Sequence, residues 1–354
     1  MVRICFGFRA SDFAAMNGPK LIAHQDVKFV NGGNSDSEYR PPWWLPGGHL
    51  QTIYAYARAS NHAVQYRRER WETPDGDFID LDWLDAVNPE AKLLVLFHGL
   101  EGSSRSHYAL SMMALAERQG WRGVVVNFRG CSGQLNLLPR AYHSGDSTEI
   151  DWILRRLKTT NPGSEICAVG VSLGGNMLLK WLGEAEGAAG AIIERAAAVS
   201  APVDLNAAAS LLDFGHRRAI YTRSFLNSLK PKVLAKIAVH GLDIDPARVK
   251  ACSTFREIDD LYTAPIHGFK DAQDYWTRAS SRPWLKQIRI PSLLINARND
   301  PFLPAEALPN PRDVSDSVTL DFPRSGGHVG FVSGNFPGDR SWFAERIWEF
   351  FALT

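Results

Sequence analysis

From Ala91 onward, short apolar runs alternate with longer stretches whose apolar residues recur every three or four positions. The runs predict strands over 91–97, about 123–128, 166–171 and about 195–200. The periodic stretches predict helices over about 106–119, 146–159 and 174–184. Such alternation means a mostly parallel central sheet flanked by helices on both faces, with ligands bound beyond the strand carboxyl ends. Upstream, 64–72 and 78–84 flank the turn Thr73-Pro74-Asp75-Gly76 and predict an antiparallel hairpin. Between Pro202 and about Leu285 the strand signals stop, while 205–212, 224–229, 233–239 and 256–262 keep helical spacing. Some eighty residues are too many for one connection, so the pattern predicts a helical cap insertion, about 203–285, before a buried strand at 291–296. A strand over 317–322 and a closing helix over 341–351 complete the reading.

The junction of strand 166–171 with the next helix reads Gly170-Val171-Ser172-Leu173-Gly174. A strand that turns sharply into a helix needs small residues where the backbones meet and thrusts its central serine out of the sheet. Ser172 therefore becomes a candidate nucleophile at a helix N-terminus, where free N–H groups favour developing negative charge. A serine nucleophile needs an acid and a base, which follow this motif in the order serine, acid, histidine. Asp300 lies in the polar turn Ala297-Arg298-Asn299-Asp300-Pro301 after strand 291–296. His328 lies in Gly326-Gly327-His328-Val329-Gly330 after strand 317–322, and Ser172, Asp300 and His328 form the candidate triad. An oxyanion hole takes one backbone N–H after the serine and one from the loop after an early strand. Those donors are Leu173 and Leu100, the latter in His98-Gly99-Leu100-Glu101-Gly102.

Other residues carry competing readings. His98 is a candidate pocket residue, but with the base already supplied by His328 it reads better as a loop histidine that bonds the backbone and holds Gly99 and Leu100. Trp43, Trp44 and His49 could line a pocket, yet aromatics after Pro41-Pro42 read better as a wrap packed on the core. Arg129, Cys131 and Ser132 follow a strand at its carboxyl end and could face the pocket; Cys131 has no base nearby and reads as a packed small residue. Asp204 is a weaker candidate acid than Asp300, and His267 reads as a structural cap residue.

Composition narrows the classes. The chain has 354 residues, 45% of them hydrophobic, which allows a large core. Net charge is +1 without a long basic run, so nucleic acid is not an expected partner. Cys5, Cys131, Cys167 and Cys252 lie far apart with no CxxC pair, which argues against a disulfide framework or a zinc site and makes a reducing, cytoplasmic setting the default. Arg3, Arg9 and Asp12 interrupt the apolar residues of the N-terminus, and no run is long enough to span a bilayer. Residues 1–38 read as a poorly ordered tail ahead of a domain over 39–354, with Met16 an alternative start. Gly130 to Gly133 and Gly174-Gly175 lack both a P-loop lysine and GxGxxG spacing, so no phosphate-binding loop is expected.

Several stretches together resemble the YheT-like branch of the α/β-hydrolases, relatives of medium-chain fatty-acid ethyl ester synthase/esterases. They are Pro42-Trp43-Trp44-Leu45-Pro46-Gly47-Gly48-His49-Leu50-Gln51-Thr52, His98 to Gly102, Asn127-Phe128-Arg129-Gly130-Cys131-Ser132-Gly133, Tyr142-His143-Ser144-Gly145-Asp146, the serine motif, Ala264 to Phe269, and Gly326 to Phe331. The resemblance covers about residues 41–352, and its first and third stretches are specific to this branch. It implies an α/β-hydrolase fold, a charge relay on Ser172, Asp300 and His328, and carboxylesterase activity on short- to medium-chain esters or acylglycerol-like lipids. The membrane anchor of eukaryotic relatives is not expected here. The chemistry would run through an acyl-enzyme and require no metal or organic cofactor. An alcohol O-acyltransferase would use the same triad, a peptidase or thioesterase likewise, and a non-catalytic binding module could share the scaffold.

Overall fold

The computed structural model describes residues 38–58 and 64–353, so the expected tail, Glu38 apart, and the start at Met16 lie outside it. Strands β1 (Arg67–Glu72), β2 (Phe78–Leu84), β3 (Leu93–Phe97), β4 (Arg122–Asn127), β5 (Ile166–Val171), β6 (Arg195–Val199), β7 (Ser292–Ile295) and β8 (Val318–Asp321) form one sheet. Their order is β1-β2-β4-β3-β5-β6-β7-β8. β1 pairs antiparallel with β2 and β2 with β4; every later pairing is parallel. β3 and β5 are buried along their whole length, which is why they read as unbroken apolar runs. The edge strand β1 is charged, and Arg68 and Arg70 reach across to Asp82 and Asp80 of β2.

Outside the cap the expected helices form close to their expected bounds: α2 (His107–Arg118), α3 (Ser147–Thr160), α4 (Leu173–Ala185) and, at the end, α12 (Trp342–Ala352). They divide between the two faces. One core holds Ile150 and Leu154 of α3 with Met177 and Leu178 of α4; the other holds Met112 and Met113 of α2 with Phe343 and Ile347 of α12. Each fully buried side chain of this kind contributes roughly 1.5–3 kcal/mol.

Two regions differ from expectation. The aromatic stretch after Pro42 does not simply wrap the core but continues into a ten-residue helix, α1 (Gly48–Ala57). Its apolar and polar residues show no clear period, because it buries Gln51 and Thr52 beside Ile53. Between β6 and β7 lies the helical insertion: α5 (Leu205–Leu212), α6 (Gly215–Arg217), α7 (Arg223–His240), α8 (Pro246–Ala251), α9 (Phe255–Ile258), α10 (Ala264–Ile266) and α11 (Ala272–Ala279). The spacings at 224–229 and 233–239 belong to one helix, α7, which carries Pro231 inside it. Single π-helical turns, Arg218–Thr222 and Asp259–Thr263, join α6 to α7 and α9 to α10. α6 and α10, of three residues each, are too short to show a 3.6-residue period, and α8 and α11 are not among the expected helices either.

The sheet reverses its direction of growth at β3: β4 lies on one side and β5 on the other. A crevice opens at such a switch point beyond the carboxyl ends of the strands. His98 follows β3 there, and Ser172 follows β5.

Candidate active site

The serine sits in a strained turn. Ser172 has φ 53° and ψ −119°, between the last residue of β5 and the first of α4. A Cβ on Gly170 would lie 2.5 Å from Gly174 O, and one on Gly174 would lie 2.4 Å from Phe97 O. Larger residues at either position would push the helix off the sheet. The turn is held by Ser172 N–H, which donates to Val199 O of β6 at 2.8 Å.

Three distant segments converge on Ser172 Oγ. His328 Nε2 is 2.9 Å from it, and His328 Nδ1 lies 2.9 and 3.2 Å from Asp300 Oδ2 and Oδ1. The Asp300 side chain is fully buried and accepts a further hydrogen bond from Phe302 N–H at 2.8 Å. With Nδ1–H donating to the carboxylate, a neutral His328 turns its Nε2 lone pair toward the serine hydroxyl. Phe302 stacks on the imidazole at 3.9 Å between ring centres. His328 N–H donates to Thr52 Oγ1 and Val329 N–H to Ser200 Oγ, so the imidazole is fixed from two sides.

α1 supplies part of that support. Gly48 meets the acid-bearing loop so closely that a Cβ there would lie 1.9 Å from Asn299 O. Asn299 in turn accepts from Gly327 N–H at 3.0 Å, one residue before the histidine. Gly48, Thr52, Asn299 and Phe302 were not singled out in the sequence. The only signal for the first two was their place in the Pro42 to Thr52 stretch that carries the resemblance.

The backbone donors flank the serine. The Gly99 carbonyl is held by His98 Nδ1 at 2.7 Å and by Gly102 N–H at 2.9 Å. N–H and C=O of a trans peptide point in opposite directions, so holding Gly99 O turns Leu100 N–H the other way. A Cβ on Gly99 would lie 3.0 Å from Ser172 Cβ, which places this peptide against the serine. Leu173 N–H is the first donor of α4. Among the described residues neither the Leu100 nor the Leu173 N–H finds an acceptor.

A cavity of about 150 Å³ opens over the serine. Ser172, His328, Leu100 and Leu173 line its floor, and apolar residues of the insertion, among them Leu205, Leu212, Phe225 and Ile258, line its roof. Of the seven residues considered for the pocket, only Arg129 reaches it. Its guanidinium is taken up by Asp75, Asp77 and Glu149 at 2.7–3.1 Å, which leaves it a buried structural cation. His98 is fully buried behind the loop; Phe128 N–H donates to its Nε2, and burial pushes its pKa down to about 4. Trp43 is 87% exposed, and Trp44 packs on Tyr54 and Phe336 with Nε1 donating to Gly334 O. These two indoles end up outside the cavity because α1 begins only at Gly48, after the chain has passed over the surface.

The minor candidates are also accounted for. Asp204 caps α5 through Ala207 N–H. His267 bridges Thr263 O and Ala141 O. Burial raises the Cys131 thiol to about 12, so it is no thiolate nucleophile. His49 contacts Tyr221 OH at 2.9 Å and does not line the cavity.

Residues 92–334 match the sequence profile of the family described as alpha/beta hydrolase fold. YheT of Escherichia coli strain K12, provisionally named an esterase, is 39% identical over 90% of this chain and 94% of its own length. The chain is a YheT-like α/β-hydrolase. This hydrolase is also 31% identical to human phospholipase ABHD3 over 88% of its own length and 78% of that protein. Among solved structures, the Pyrococcus furiosus esterase Pf2001 superposes with a TM-score of 0.52 at 17% identity, covering 82% of this chain and 93% of that one. That likeness establishes the hydrolase's fold alone. Among its described residues no helix is long and apolar enough to cross a membrane.

Proposed function

We propose that this hydrolase is a serine carboxylesterase acting on short- to medium-chain carboxylic esters or acylglycerol-like lipids. The observation that carries the reading is the unbroken line from Asp300 through His328 to Ser172 Oγ on the floor of an apolar cavity. His328, oriented by Asp300, takes the serine proton as Ser172 Oγ attacks the ester carbonyl. Leu100 and Leu173 N–H stabilise the oxyanion, worth roughly 10²–10³ in rate per donor. His328 then protonates the departing alcohol, and water resolves the acyl-enzyme by the same steps. The helical insertion acts as a cap that keeps bulk water from the reacting carbonyl. A largely apolar cavity near 150 Å³ accommodates a group about the size of benzene, which suits a short or medium acyl chain. The names of YheT and ABHD3 support ester or lipid hydrolysis.

The test is hydrolysis of p-nitrophenyl esters from acetate to palmitate by wild type and Ser172→Ala, with a chelator present. Turnover that peaks at one chain length and disappears in the variant is the expected result. Turnover that survives the substitution overturns the assignment of the nucleophile. With ethanol added, a new ethyl ester in place of free acid would mark an acyltransferase.

A further inference from the structure

Four of the six non-glycine residues with positive φ among the described residues lie round the site: Ser172 (53°), Ser200 (50°), Val329 (52°) and Glu101 (57°). The first is the strained serine, and the next two hold His328 through their mutual hydrogen bond. Glu101 has no part in the chemistry above. It follows Leu100 in the turn closed by Gly102 N–H on Gly99 O, at the position where such a turn ordinarily takes glycine.

Its side chain shows what offsets that strain. The Glu101 carboxylate is 7% exposed and lines the cavity. Lys232 Nζ donates to it at 2.8 Å, Tyr142 OH at 3.0 Å, and Ser228 Oγ bonds it as well. The backbone N–H of Glu101 donates to the same Tyr142 OH at 2.8 Å. Ser228 and Lys232 stand four residues apart on α7, one above the other on one face. α7 also reaches the base: Phe225 packs edge-on against Phe302, the ring stacked on His328. One cap helix therefore touches the oxyanion loop through a half-buried ion pair and the histidine through two aromatic rings.

We propose that Glu101 is a positioning residue through which cap helix α7, by Ser228 and Lys232, sets the oxyanion loop, so that Leu100 N–H is aimed at the reacting carbonyl only while α7 is seated. The proposal rests on the esterase reading. A buried carboxylate is stable only with its charge partner, so unseating α7 removes that partner and the reason for the strained turn together. Cap opening and loss of the oxyanion hole become one event.

The test uses full-length wild type with Glu101→Gln, Glu101→Gly, Lys232→Met, Lys232→Arg and Ser228→Ala. The readouts are kcat, KM, thermal midpoint and affinity for an alkyl trifluoromethyl ketone, whose serine adduct carries the oxyanion. Glu101→Gln and Lys232→Met are expected to lower kcat and ketone affinity by the same factor, about tenfold or more, with KM nearly unchanged. Lys232→Arg restores most of the loss. Glu101→Gly suits the positive φ without strain yet is still impaired, because it cannot reach α7. Ser228→Ala keeps the ion pair and remains informative should Lys232→Met not fold; about threefold is expected. A fully active Glu101→Gly overturns the proposal by reducing Glu101 to a turn residue. KM and ketone affinity worsening together with kcat untouched also overturns it, since that marks a pocket-shape effect. A wild type that neither turns over esters nor binds the ketone sinks the esterase reading and this one with it, whereas an active wild type matched by Glu101→Gln sinks this one alone.

Discussion

The loop after β3 and the loop after β8 each carry a histidine beside glycine at the carboxyl end of a sheet strand, and the two imidazoles have opposite surroundings. His98 is fully buried between backbone groups, with Nδ1 at Gly99 O and Nε2 at Phe128 N–H. His328 lies between two side chains, a carboxylate at one nitrogen and a hydroxyl at the other. A histidine whose nitrogens are both spent on the backbone is a brace; one placed between a proton source and an anion is equipped to move a proton. Motif context puts both near the serine. The partners divide the roles, and each substitution below is aimed at that division.

The largest effect is expected at His328. Replacing it with alanine removes the proposed base while the loop keeps its bonds to Thr52 and Ser200 through backbone N–H groups. kcat/KM for the best p-nitrophenyl ester should fall by roughly 10⁴ or more, while stability falls by only roughly 1–3 kcal/mol, the cost of leaving the buried Asp300 carboxylate without its imidazole donor. Stopped assays on purified variant beside a calorimetric scan would check both halves. A large loss of stability with only a modest loss of rate would make His328 the brace.

Next comes the support beneath the acid. Gly48→Ala would drive a methyl group to within 1.9 Å of Asn299 O, one residue before Asp300. Either α1 or the acid loop must shift, and a displacement near 1 Å at a catalytic group costs about 10²-fold. We expect a loss of that order in kcat with full labelling of Ser172 by a fluorophosphonate, but labelled slowly. Unchanged kinetics would show that α1 is not part of the site's framework.

This support is where the sequence was least legible. Ser172, Asp300 and His328 stand out because each follows a strand, and strands announce themselves by apolar runs. Gly48, Thr52 and Phe302 act through packing and single hydrogen bonds, which leave no periodic trace. α1 buries polar Gln51 and Thr52, so a hydrophobic pattern could not place it. The cap was visible as a break in alternation, but its π turns at Arg218–Thr222 and Asp259–Thr263 shift the phase of the helical pattern and concealed how its pieces join. Trp43 and Trp44 stayed open between pocket and wrap for a related reason: an aromatic residue is apolar wherever it lies, and only the path of the chain decides whether it faces a cavity.

At His98 the expected cost falls on stability. Alanine there strands Phe128 N–H in a dry interior, a penalty of roughly 1–3 kcal/mol before any cavity term. The pH dependence gives a second handle. The folded pKa is down at about 4, against 6.5 for the ordinary side chain. Between those values the unfolded chain binds a proton that the folded chain refuses, so this histidine makes stability fall as pH drops from about 6.5 to 4, by up to about 3 kcal/mol. His107, depressed likewise by burial, adds a slope of the same sign. Urea melts at pH 7 and pH 5 should show wild type losing stability, and His98→Ala losing less over the same interval. Equal slopes for the two proteins would mean that His98 is charged when folded.

The smallest effect is expected at Trp43. Its indole is 87% exposed, and truncating an exposed side chain with no buried partner changes stability by about 0.5 kcal/mol or less. Trp43→Ala should therefore leave both the thermal midpoint and the preferred acyl-chain length where they are. Leu212→Ala, by contrast, enlarges the cavity roof and should move the preferred length upward. The pair separates an aromatic residue that only resembles a pocket residue in sequence from an aliphatic one that the fold brings over the serine. A chain-length optimum that follows Trp43 and ignores Leu212 would mean that the acyl chain leaves the cavity and lies across the surface at the start of α1.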